Sequence, residues 1–350
     1  MNVKCELCGK GYNIPDERIP PDRKISFPCP SCKKGIINID IRPEALKEAP
    51  QPERPKKKGQ SFEVERDLPT GEVLQKIILN RLTELPPMPQ VMFKAREIMN
   101  DPTSGFRALA DILEKDQAMA TRVLRLSNSA YYGLAGKVTS VQHAAVLLGY
   151  KTVGEVVAMA TSSKLLGDSL EGYKMNSGDL WKHSLAVAIA SRLIAGKRYK
   201  DLENDAFSAG LIHDAGKIVL NKYVLERGNA FEEYMSDDQK SFLNAEKDIL
   251  GFDHSEIAAE MCNLWKIPKS LISAICFHHY PAQSGDNTLA SIVHVADSLS
   301  LMSGIGSGVD GMLYKMDQRA QEFLRLTEQD LREILDETVE SVDKITEQMQ

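Results

Sequence analysis

The amino-acid sequence predicts a mainly all-α protein that carries a separate small unit at its N-terminus. Apolar residues recur at helical spacing from about residue 70 onward, and strand-like alternation is essentially absent there. Four of the six cysteines lie within the first forty residues. Residues 41–69, between these regions, are rich in proline and charge and poor in apolar side chains, which predicts a flexible linker.

The first forty residues contain two Cys-x-x-Cys pairs, Cys5 with Cys8 and Cys29 with Cys32. Two such pairs, here twenty residues apart, are typical of a tetrahedral zinc site with four thiolate ligands. Four protein ligands leave no open coordination position, so we expect zinc in a structural role. A redox-active dithiol pair is the alternative. The segment 1–40 resembles a small zinc-ribbon family found at the N-terminus of bacterial regulators, and we predict a zinc ribbon here.

Helical periodicity defines a main domain over residues 70–302, in which residues 70–175 form an N-terminal helical part and residues 176–302 form a second part. Ser140 and Gly149 are spaced as the N-cap and the C-terminal glycine of one helix. Further helices are predicted at residues 154–166, 180–195, 205–213, 255–265, 270–277 and 289–301.

Residues 303–350 are predicted to form a loop followed by one or two amphipathic helices. The glycine-rich segment 303–308 is interpreted as a flexible loop, because a phosphate-binding loop would follow a strand and precede Gly-Lys-Ser/Thr. Thr327 and Asp330 are spaced as an N-terminal helix cap. We expect the helices to pack on the main domain, and a dimer contact is the alternative.

The charge and the hydropathy of the chain exclude some classes of protein. The formal net charge of −6 argues against nucleic-acid binding over the whole surface. No segment approaches the roughly 18 consecutive apolar residues of a membrane-spanning helix. The sequence reaches Cys5 without an apolar stretch and so shows no secretory signal. We therefore expect a cytoplasmic protein with no membrane partner.

The histidines are concentrated in one region, since all seven lie between residues 143 and 294. His213 and Asp214 end one predicted helix, and because adjacent helix positions are about 100° apart, both side chains can face one cleft. Further His or Asp residues from neighbouring helices could complete a metal site in the helical core. The candidates are His183, His254, His278, His279 and Asp297. Histidines that are hydrogen-bonded in the core without a metal are the alternative.

Seven short motifs, each present once, are distributed along the helical region: Leu85-Pro86-Pro87-Met88-Pro89, Leu126-Ser127-Asn128-Ser129-Ala130-Tyr131-Tyr132-Gly133, Gly210-Leu211-Ile212-His213-Asp214-Ala215-Gly216-Lys217, Asp253-His254-Ser255-Glu256, Trp265-Lys266-Ile267-Pro268, Ala274-Ile275-Cys276-Phe277-His278-His279 and His294-Val295-Ala296-Asp297. With these motifs, the chain from about residue 85 to residue 301 resembles the HDOD family, the HD-related output domains of bacterial signalling proteins. The resemblance implies a helical HD-like fold and a regulatory role.

The resemblance also implies a metal-ligand set. The parent HD superfamily holds a divalent metal for phosphate-ester hydrolysis with residues that match His183, His213, Asp214 and Asp297. The related HD-GYP phosphodiesterases hold a second metal with further histidines, which here match His254, His278 and His279, and Asp214 would bridge the two ions. Iron, manganese, zinc or nickel suits such an imidazole-rich site. His143 and His294 match no ligand position, and we interpret them as packing or surface residues.

The sequence also departs from the HD-GYP pattern. Lys217 matches the lysine of that family's HDxGK motif and could offset phosphate charge. After His279, however, the sequence reads Tyr280-Pro281-Ala282-Gln283 where that family has Glu and then a Gly-Tyr-Pro loop that shapes the substrate pocket. HDOD domains are generally regarded as output or scaffold modules, so the resemblance implies regulation more than catalysis.

Three functions therefore remain open. The first is a cytoplasmic signalling regulator whose output domain binds partner signalling proteins and holds a divalent metal. The second is a metal-dependent phosphohydrolase for nucleotides or cyclic dinucleotides, in which Asp214 and Lys217 would take part in catalysis. The third is a nucleic-acid-binding regulator that uses the ribbon and the lysine run 56–58. The missing Gly-Tyr-Pro loop argues against the second function, and the net charge argues against the third.

Overall fold

The structure is a computed structural model. In it the chain forms two compact units, Met1–Val64 and Glu65–Gln350. The structure describes residues 2–4, 10–13, 24–28, 36–40, 68–82, 116–134, 136–237, 239–285, 287–309 and 316–347, and the single positions 91, 95, 97, 98, 109, 110 and 113. The predicted zinc ligands Cys5, Cys8, Cys29 and Cys32 and almost all of the predicted linker lie outside the described residues, so both remain predictions.

The first unit contains two antiparallel hairpins of short strands. Strand β1 (Asn2–Lys4) pairs with β2 (Gly11–Asn13), and β3 (Lys24–Pro28) pairs with β4 (Ile36–Asp40). In sequence, each Cys-x-x-Cys pair follows the first strand of a hairpin.

In the second unit the described residues are predominantly helical, as the sequence predicts. The helices are α1 (Gly71–Leu82), α2 (Gln117–Ser127), α3 (Val141–Leu148), α4 (Tyr150–Leu165), α5 (Asp179–Arg198), α6 (Glu203–Ile212), α7 (Gly216–Glu226), α8 (Gly228–Tyr234), α9 (Phe242–Ala245), α10 (His254–Leu264), α11 (Lys269–Cys276), α12 (Thr288–Ser303), α13 (Gln318–Phe323) and α14 (Glu328–Thr346). Shorter turns are the 3-10 segments Ala130–Tyr132, Glu171–Tyr173, Lys200–Leu202 and Pro281–Gln283 and the π-helical turn Glu246–Leu250.

Side chains that cap the helices explain where several of them begin. The Ser140 hydroxyl accepts a hydrogen bond from the His143 amide at the start of α3, and Gly149 ends that helix, as predicted. The predicted cap of α14 is also confirmed, because Thr327 and Asp330 accept each other's backbone N–H in a capping box. Helix α4 begins at Tyr150, four residues earlier than the predicted residue 154, because Gly149 alone separates it from α3.

Helix α5 is the centre of the second unit. Buried residues lie on all of its faces between Leu180 and Ala195, as expected for a helix surrounded by others. Helices α6, α12 and α14 all pack against it. Gly210 on α6 permits the closest approach, since a Cβ atom there would meet the Val187 carbonyl and the Ala188 backbone. These contacts bring the middle of α5 close to the C-terminal end of α6.

The segment after α12 and the C-terminal helices complete the unit. The predicted glycine-rich loop packs against the start of α5, where Gly306 has a positive φ of 58° and its Cα lies against the Asp179 carbonyl. Helix α14 packs on α5 through buried Ile334 and Val342, so the predicted packing of the tail on the main domain is confirmed. Among the described residues, no helix combines the length and apolarity needed to cross a bilayer.

Candidate metal centre

The structure brings the seven predicted ligand residues of the helical domain into one cluster. They come from five places in the chain: His183 in α5, His213 and Asp214 after α6, His254 at the start of α10, His278 and His279 after α11, and Asp297 in α12. Six of these side chains are almost completely buried, and His279 is partly buried. A cluster of imidazoles and carboxylates in a helical core is a common form of metal site.

The first group of ligand atoms lies around Asp214 Oδ2. Asp214 Oδ2 lies 3.6 Å from His183 Nε2 and 3.5 Å from His213 Nε2. The Asp297 Oδ1 atom lies 3.0 Å from His183 Nε2 and 3.8 Å from His213 Nε2. These four side chains are the set that the parent superfamily's pattern predicted.

A second group surrounds the other oxygen of the same carboxylate. Asp214 Oδ1 lies 3.1 Å from His254 Nε2 and 3.8 Å from His278 Nε2. His279 Nε2 lies 2.8 Å from His254 Nε2. Asp214 therefore presents one oxygen to each group of ligand atoms.

Hydrogen bonds determine which imidazole nitrogens face the cluster. His213 Nδ1 lies 2.8 Å from the Gly210 carbonyl, and His278 Nδ1 lies 2.7 Å from the Ile275 carbonyl. A carbonyl oxygen only accepts, so each Nδ1 atom carries the proton and each Nε2 atom presents a lone pair. Within the part of the chain that the structure describes, neither Nε2 atom has a hydrogen-bond partner. A buried lone pair without a donor is what a metal ligand requires.

The separations between ligand atoms also suit a divalent ion. Two atoms that each lie about 2.1 Å from one ion, at tetrahedral or octahedral angles, are about 3.0–3.4 Å apart. Most of the separations in both groups lie close to this range. The residues present therefore fit a divalent metal, which when bound supplies Lewis-acid chemistry to the site.

Burial and charge put five of the ligand residues in the protonation states that metal binding requires. Burial lowers the pKa of His213, His278 and His279, that of His278 to about 3, so these imidazoles are neutral near pH 7. Burial alone would raise the pKa of Asp214 and Asp297, but neighbouring cationic and hydrogen-bonding groups outweigh it. The pKa of Asp214 is held well below its usual value, and that of Asp297 is lowered to about 2.

Lys217, the lysine of the HDxGK motif, approaches the Asp214 carboxylate. Its Nζ atom donates a hydrogen bond of 2.8 Å to Asp214 Oδ2 and lies 5.7 Å from the centre of the Tyr173 ring. The side chain is only 4 % exposed, so its charge is available to the cluster and not to solvent. A carboxylate oxygen has two lone pairs and can accept from lysine while it binds an ion.

Gly216 in the same motif sets the distance between two of the elements that carry ligands. It is the first residue of α7, and a Cβ atom there would collide with the His254 carbonyl and approach the Ala258 amide of α10. The absence of a side chain lets α7 and α10 approach closely. This close approach places His254 beside Asp214.

Two residues beside the cluster, Glu246 and Tyr173, were not predicted from the sequence. The Glu246 carboxylate is fully buried and lies 2.7 Å from His254 Nδ1, and the Tyr173 hydroxyl donates to its other oxygen at 2.5 Å. Burial alone would lower the pKa of His254, but the Glu246 carboxylate outweighs it and raises this pKa well above its usual value. In sequence, Glu246 belongs to the charged run Glu246-Lys247-Asp248, which resembles an exposed surface.

The cluster opens onto a small cavity of about 20 Å³. Ser241, Phe242 and Leu243, around the start of α9, line it together with Leu301 of α12. By the same measure a single water molecule needs about 10–15 Å³. In this conformation the enclosed part of the cavity therefore has room for one or two ions or water molecules, and a phosphate ester does not fit within it.

The two histidines outside the ligand set have the packing or surface roles that were predicted. His294 is buried, its Nδ1 atom donates to the His278 carbonyl at 2.7 Å, and its Nε2 atom accepts from the Asp317 amide at 2.7 Å. His143 lies half-buried in the first turn of α3, where its ring is close to Thr139. His294 thus anchors the backbone beside a ligand without facing the cluster.

The chain belongs to the HDOD domain family. The family's sequence profile matches residues 85–281, which is more than half of the chain. The matched region contains six of the seven clustered ligand residues, and Asp297 lies beyond its end.

Solved structures with the same fold come from several bacteria. An HDOD domain protein of unknown function from Geobacter sulfurreducens has a TM-score of 0.62 at 23 % identity, covering 78 % of this chain and 95 % of its own. A Shewanella amazonensis protein provisionally named a phosphohydrolase has a TM-score of 0.60 at 23 % identity, covering 78 % and 98 %. A Marinobacter aquaeolei protein provisionally named a signal transduction protein has a TM-score of 0.61 at 23 % identity, covering 78 % and 64 %.

One curated relative also matches. It is an uncharacterized protein of Treponema pallidum that is 21 % identical over 203 residues, or 58 % of this chain. The matched segment spans 39 % of the relative's own length. At these identities the solved structures establish the fold, and the family profile establishes the family.

Proposed function

We propose that this protein is a bacterial signalling regulator whose HDOD domain binds partner proteins and holds divalent metal in a closed histidine cluster, without turning over a phosphate ester. One observation carries the proposal. The ligand set fits a metal, yet the cavity beside it measures only about 20 Å³. A hydrolytic site needs room for its substrate beside the metal, and this cavity offers none.

We propose two ions in the cluster, as the resemblance to the HD-GYP phosphodiesterases implies. The first ion would be held by His183, His213, Asp297 and Asp214 Oδ2, and the second by His254, His278, His279 and Asp214 Oδ1. The three buried carboxylates of Asp214, Asp297 and Glu246 outnumber the two buried cationic groups, the Lys217 ammonium and the His254 imidazolium. Divalent cations would neutralise this excess of negative charge. Iron, manganese, zinc and nickel are the candidates, and a further zinc would occupy the four-cysteine ribbon.

Two observations support a role in signalling. The relative from Marinobacter aquaeolei, which shares the fold, carries a signal transduction name. The end of α3 exposes Val146 and Leu147 at 81 % and 44 %, and the first residue of α4, Tyr150, is 45 % exposed. Large apolar side chains that are exposed side by side are typical of surfaces that contact other proteins. We propose cytoplasmic signalling proteins as the partners.

A metal-dependent phosphohydrolase is the second candidate, and Lys217 is the observation that favours it. Its ammonium group faces the cluster beside Asp214, where it could neutralise charge on a phosphate group. Such a function requires the segment around Phe242 to move away from the cluster before a nucleotide or cyclic dinucleotide could enter.

Metal analysis of the full-length protein tests the metal-binding part of the proposal. We expect His213→Ala to remove divalent metal from the cluster and to leave the ribbon zinc in place, and we expect His143→Ala to change neither. Elemental analysis by mass spectrometry measures both contents. A protein whose entire metal content disappears when Cys5 and Cys8 are replaced by serine would contradict a metal in the histidine cluster.

Turnover assays separate the two candidate functions. We expect the metal-loaded protein to leave cyclic dinucleotides and generic phosphodiesters unhydrolysed, because the cavity cannot admit them. Robust hydrolysis that is abolished by Asp214→Ala and retained by His143→Ala would overturn the non-enzymatic function and establish the phosphohydrolase.

A further inference from the structure

Glu246 is a buried carboxylate in an irregular part of the chain. Its side chain has no exposed surface, and it begins the π-helical turn Glu246–Leu250, which Gly251 ends with a φ of 95°. Burial of an ionised carboxylate is costly unless hydrogen bonds compensate for the lost water. π-Helical turns are rare and occur frequently at functional sites.

Three hydrogen bonds satisfy this carboxylate, and two of them come from one residue. Glu246 Oε2 accepts from the His254 backbone amide at 3.0 Å and lies 2.7 Å from His254 Nδ1. Glu246 Oε1 accepts from the Tyr173 hydroxyl at 2.5 Å. The carboxylate thus fixes both the position of His254 at the start of α10 and the orientation of its ring.

His254 is anchored differently from the other histidines of the cluster. His213 and His278 place Nδ1 against neutral backbone carbonyls, whereas His254 places Nδ1 against an anion. An anionic acceptor forms the stronger hydrogen bond and makes the opposite ring nitrogen a better electron donor. That opposite nitrogen, Nε2, lies 3.1 Å from Asp214 Oδ1 and 2.8 Å from His279 Nε2.

We infer that Glu246 is a positioning residue that sets the affinity of the second metal position, by holding His254 with Nδ1 protonated and the Nε2 lone pair directed at the ion. This inference rests on the proposed metal binding of the cluster. Tyr173 supports this positioning, because its hydroxyl donates a hydrogen bond to the Glu246 carboxylate and its ring lies beside Lys217. The first metal position contains neither His254 nor a contact with Glu246.

The substitution Glu246→Gln separates this role from a purely structural one. A glutamine can keep the shape of the side chain, accept from His254 with its carbonyl oxygen and donate to the Tyr173 oxygen with its amide. The packing and the number of hydrogen bonds are then retained, and only the negative charge is lost. Asp248→Asn is the matched control, because Asp248 lies in the same turn and accepts from the Tyr234 hydroxyl at 2.5 Å on the exposed surface.

Manganese is the probe, because four thiolates of the ribbon bind it poorly whereas a cluster of imidazoles and carboxylates accepts it. We would titrate the full chain, freed of cluster metal with a chelator, and follow free and bound Mn²⁺ by electron paramagnetic resonance. The wild type and Asp248→Asn should bind two ions that give the signal of a coupled pair. Glu246→Gln should bind the first ion as the wild type does and the second ion about 10–100-fold more weakly.

The outcomes distinguish this inference from the function on which it rests. If Glu246→Gln binds both ions as the wild type does, the role of Glu246 is wrong and metal binding by the cluster stands. If the wild type binds no Mn²⁺, both are overturned. If Glu246→Gln does not fold, the variant Tyr173→Phe tests the inference in its place. It removes the donor to Glu246 and should weaken the second ion alone, and unchanged binding in that variant would overturn the inference.

Discussion

Arg192 on α5 forms a partly buried ion pair with the buried Glu155 on α4, with 2.5 Å between Arg192 Nη1 and Glu155 Oε2. The arginine also donates to the Tyr131 hydroxyl. Burial raises the pKa of Glu155, and the Arg192 charge opposes this rise without cancelling it. The pair links α4 to α5, the helix that carries His183.

Removal of one partner of this pair should destabilise the domain strongly. Arg192→Met leaves the Glu155 carboxylate buried without its cation, and we expect it to cost about 3–5 kcal/mol of unfolding free energy. The double variant Arg192→Met, Glu155→Leu should recover part of this loss because no buried charge remains. Urea unfolding measures both. As a control, Lys197→Met at the more exposed pair with Asp330 should cost less, and equal losses would contradict the assigned burial.

Acid should destabilise the metal-free protein through its buried histidines. The pKa values of His213, His278 and His279 are lowered in the folded state. Below about pH 6.5 these histidines are therefore protonated in the unfolded chain while they remain neutral in the folded chain, and proton binding stabilises the unfolded chain. Stability is therefore complete above that pH and falls as the pH decreases toward the folded pKa of about 3 for His278. The urea concentration at the midpoint of unfolding should be lower at pH 5 than at pH 7.

His254 does not reverse this effect. Its pKa is raised in the folded state, so its contribution is fully present below about pH 6.5 and is lost only as the pH rises through its folded value. A variant outside the cluster, His143→Ala at the half-buried His143, should keep the full dependence on pH. A metal-free protein that is equally stable at pH 7 and pH 5 would show that the buried histidines take up protons without cost.

The sequence was sufficient to predict the helical fold and the residues of the cluster. Helical periodicity and caps such as Ser140 are local, so they can be recognised without knowledge of the tertiary structure. The cluster residues are recognisable because His213 and Asp214 are chemically distinctive and because their motif resembles that of the family. Lys217 could be predicted for the same reason, since it lies one turn beyond His213.

The anchoring of His254 and the closure of the cavity could not be predicted from the sequence. Tyr173 and Glu246 are 73 residues apart, and their hydrogen bond depends on how the turn before α5 packs against the π-helical turn. The closure depends on Phe242, whose ring lies 5.2 Å from that of Tyr173. Such contacts arise only in the packed structure, and apolar residues such as Phe242 carry no sequence signal that separates a cavity wall from ordinary core.

The N-terminal unit should bind one zinc ion per chain through Cys5, Cys8, Cys29 and Cys32. Small zinc ribbons depend on their metal for folding, because the ligands repel one another or remain protonated without it. A Cys8→Ser, Cys29→Ser double variant should lose this zinc. Dispersed amide signals of residues 1–45 in excess chelator, measured by NMR, or an unchanged zinc content in the variant would show that the ribbon prediction is wrong.

Gly216 provides a test of the link between helix packing and the cluster. A Cβ atom at this position would collide with the His254 carbonyl, and backbone atoms, unlike the end of a flexible side chain, cannot move aside cheaply. In Gly216→Ala, helices α7 and α10 must therefore separate, which we expect to cost about 1–3 kcal/mol of unfolding free energy. The same displacement moves His254 away from Asp214, so binding of the second ion should weaken as well.

The matched control is Gly228→Ala, because Gly228 begins a helix as Gly216 does and has no atom within 4 Å of the added methyl group. It should leave both the urea midpoint and the Mn²⁺ titration unchanged. Two separable results are informative for Gly216→Ala. A loss of stability with normal binding of both ions would show that His254 keeps its position when α10 shifts. Unchanged stability would contradict the close approach of α7 and α10 itself, and with it the reason for glycine at this position of the His-Asp motif.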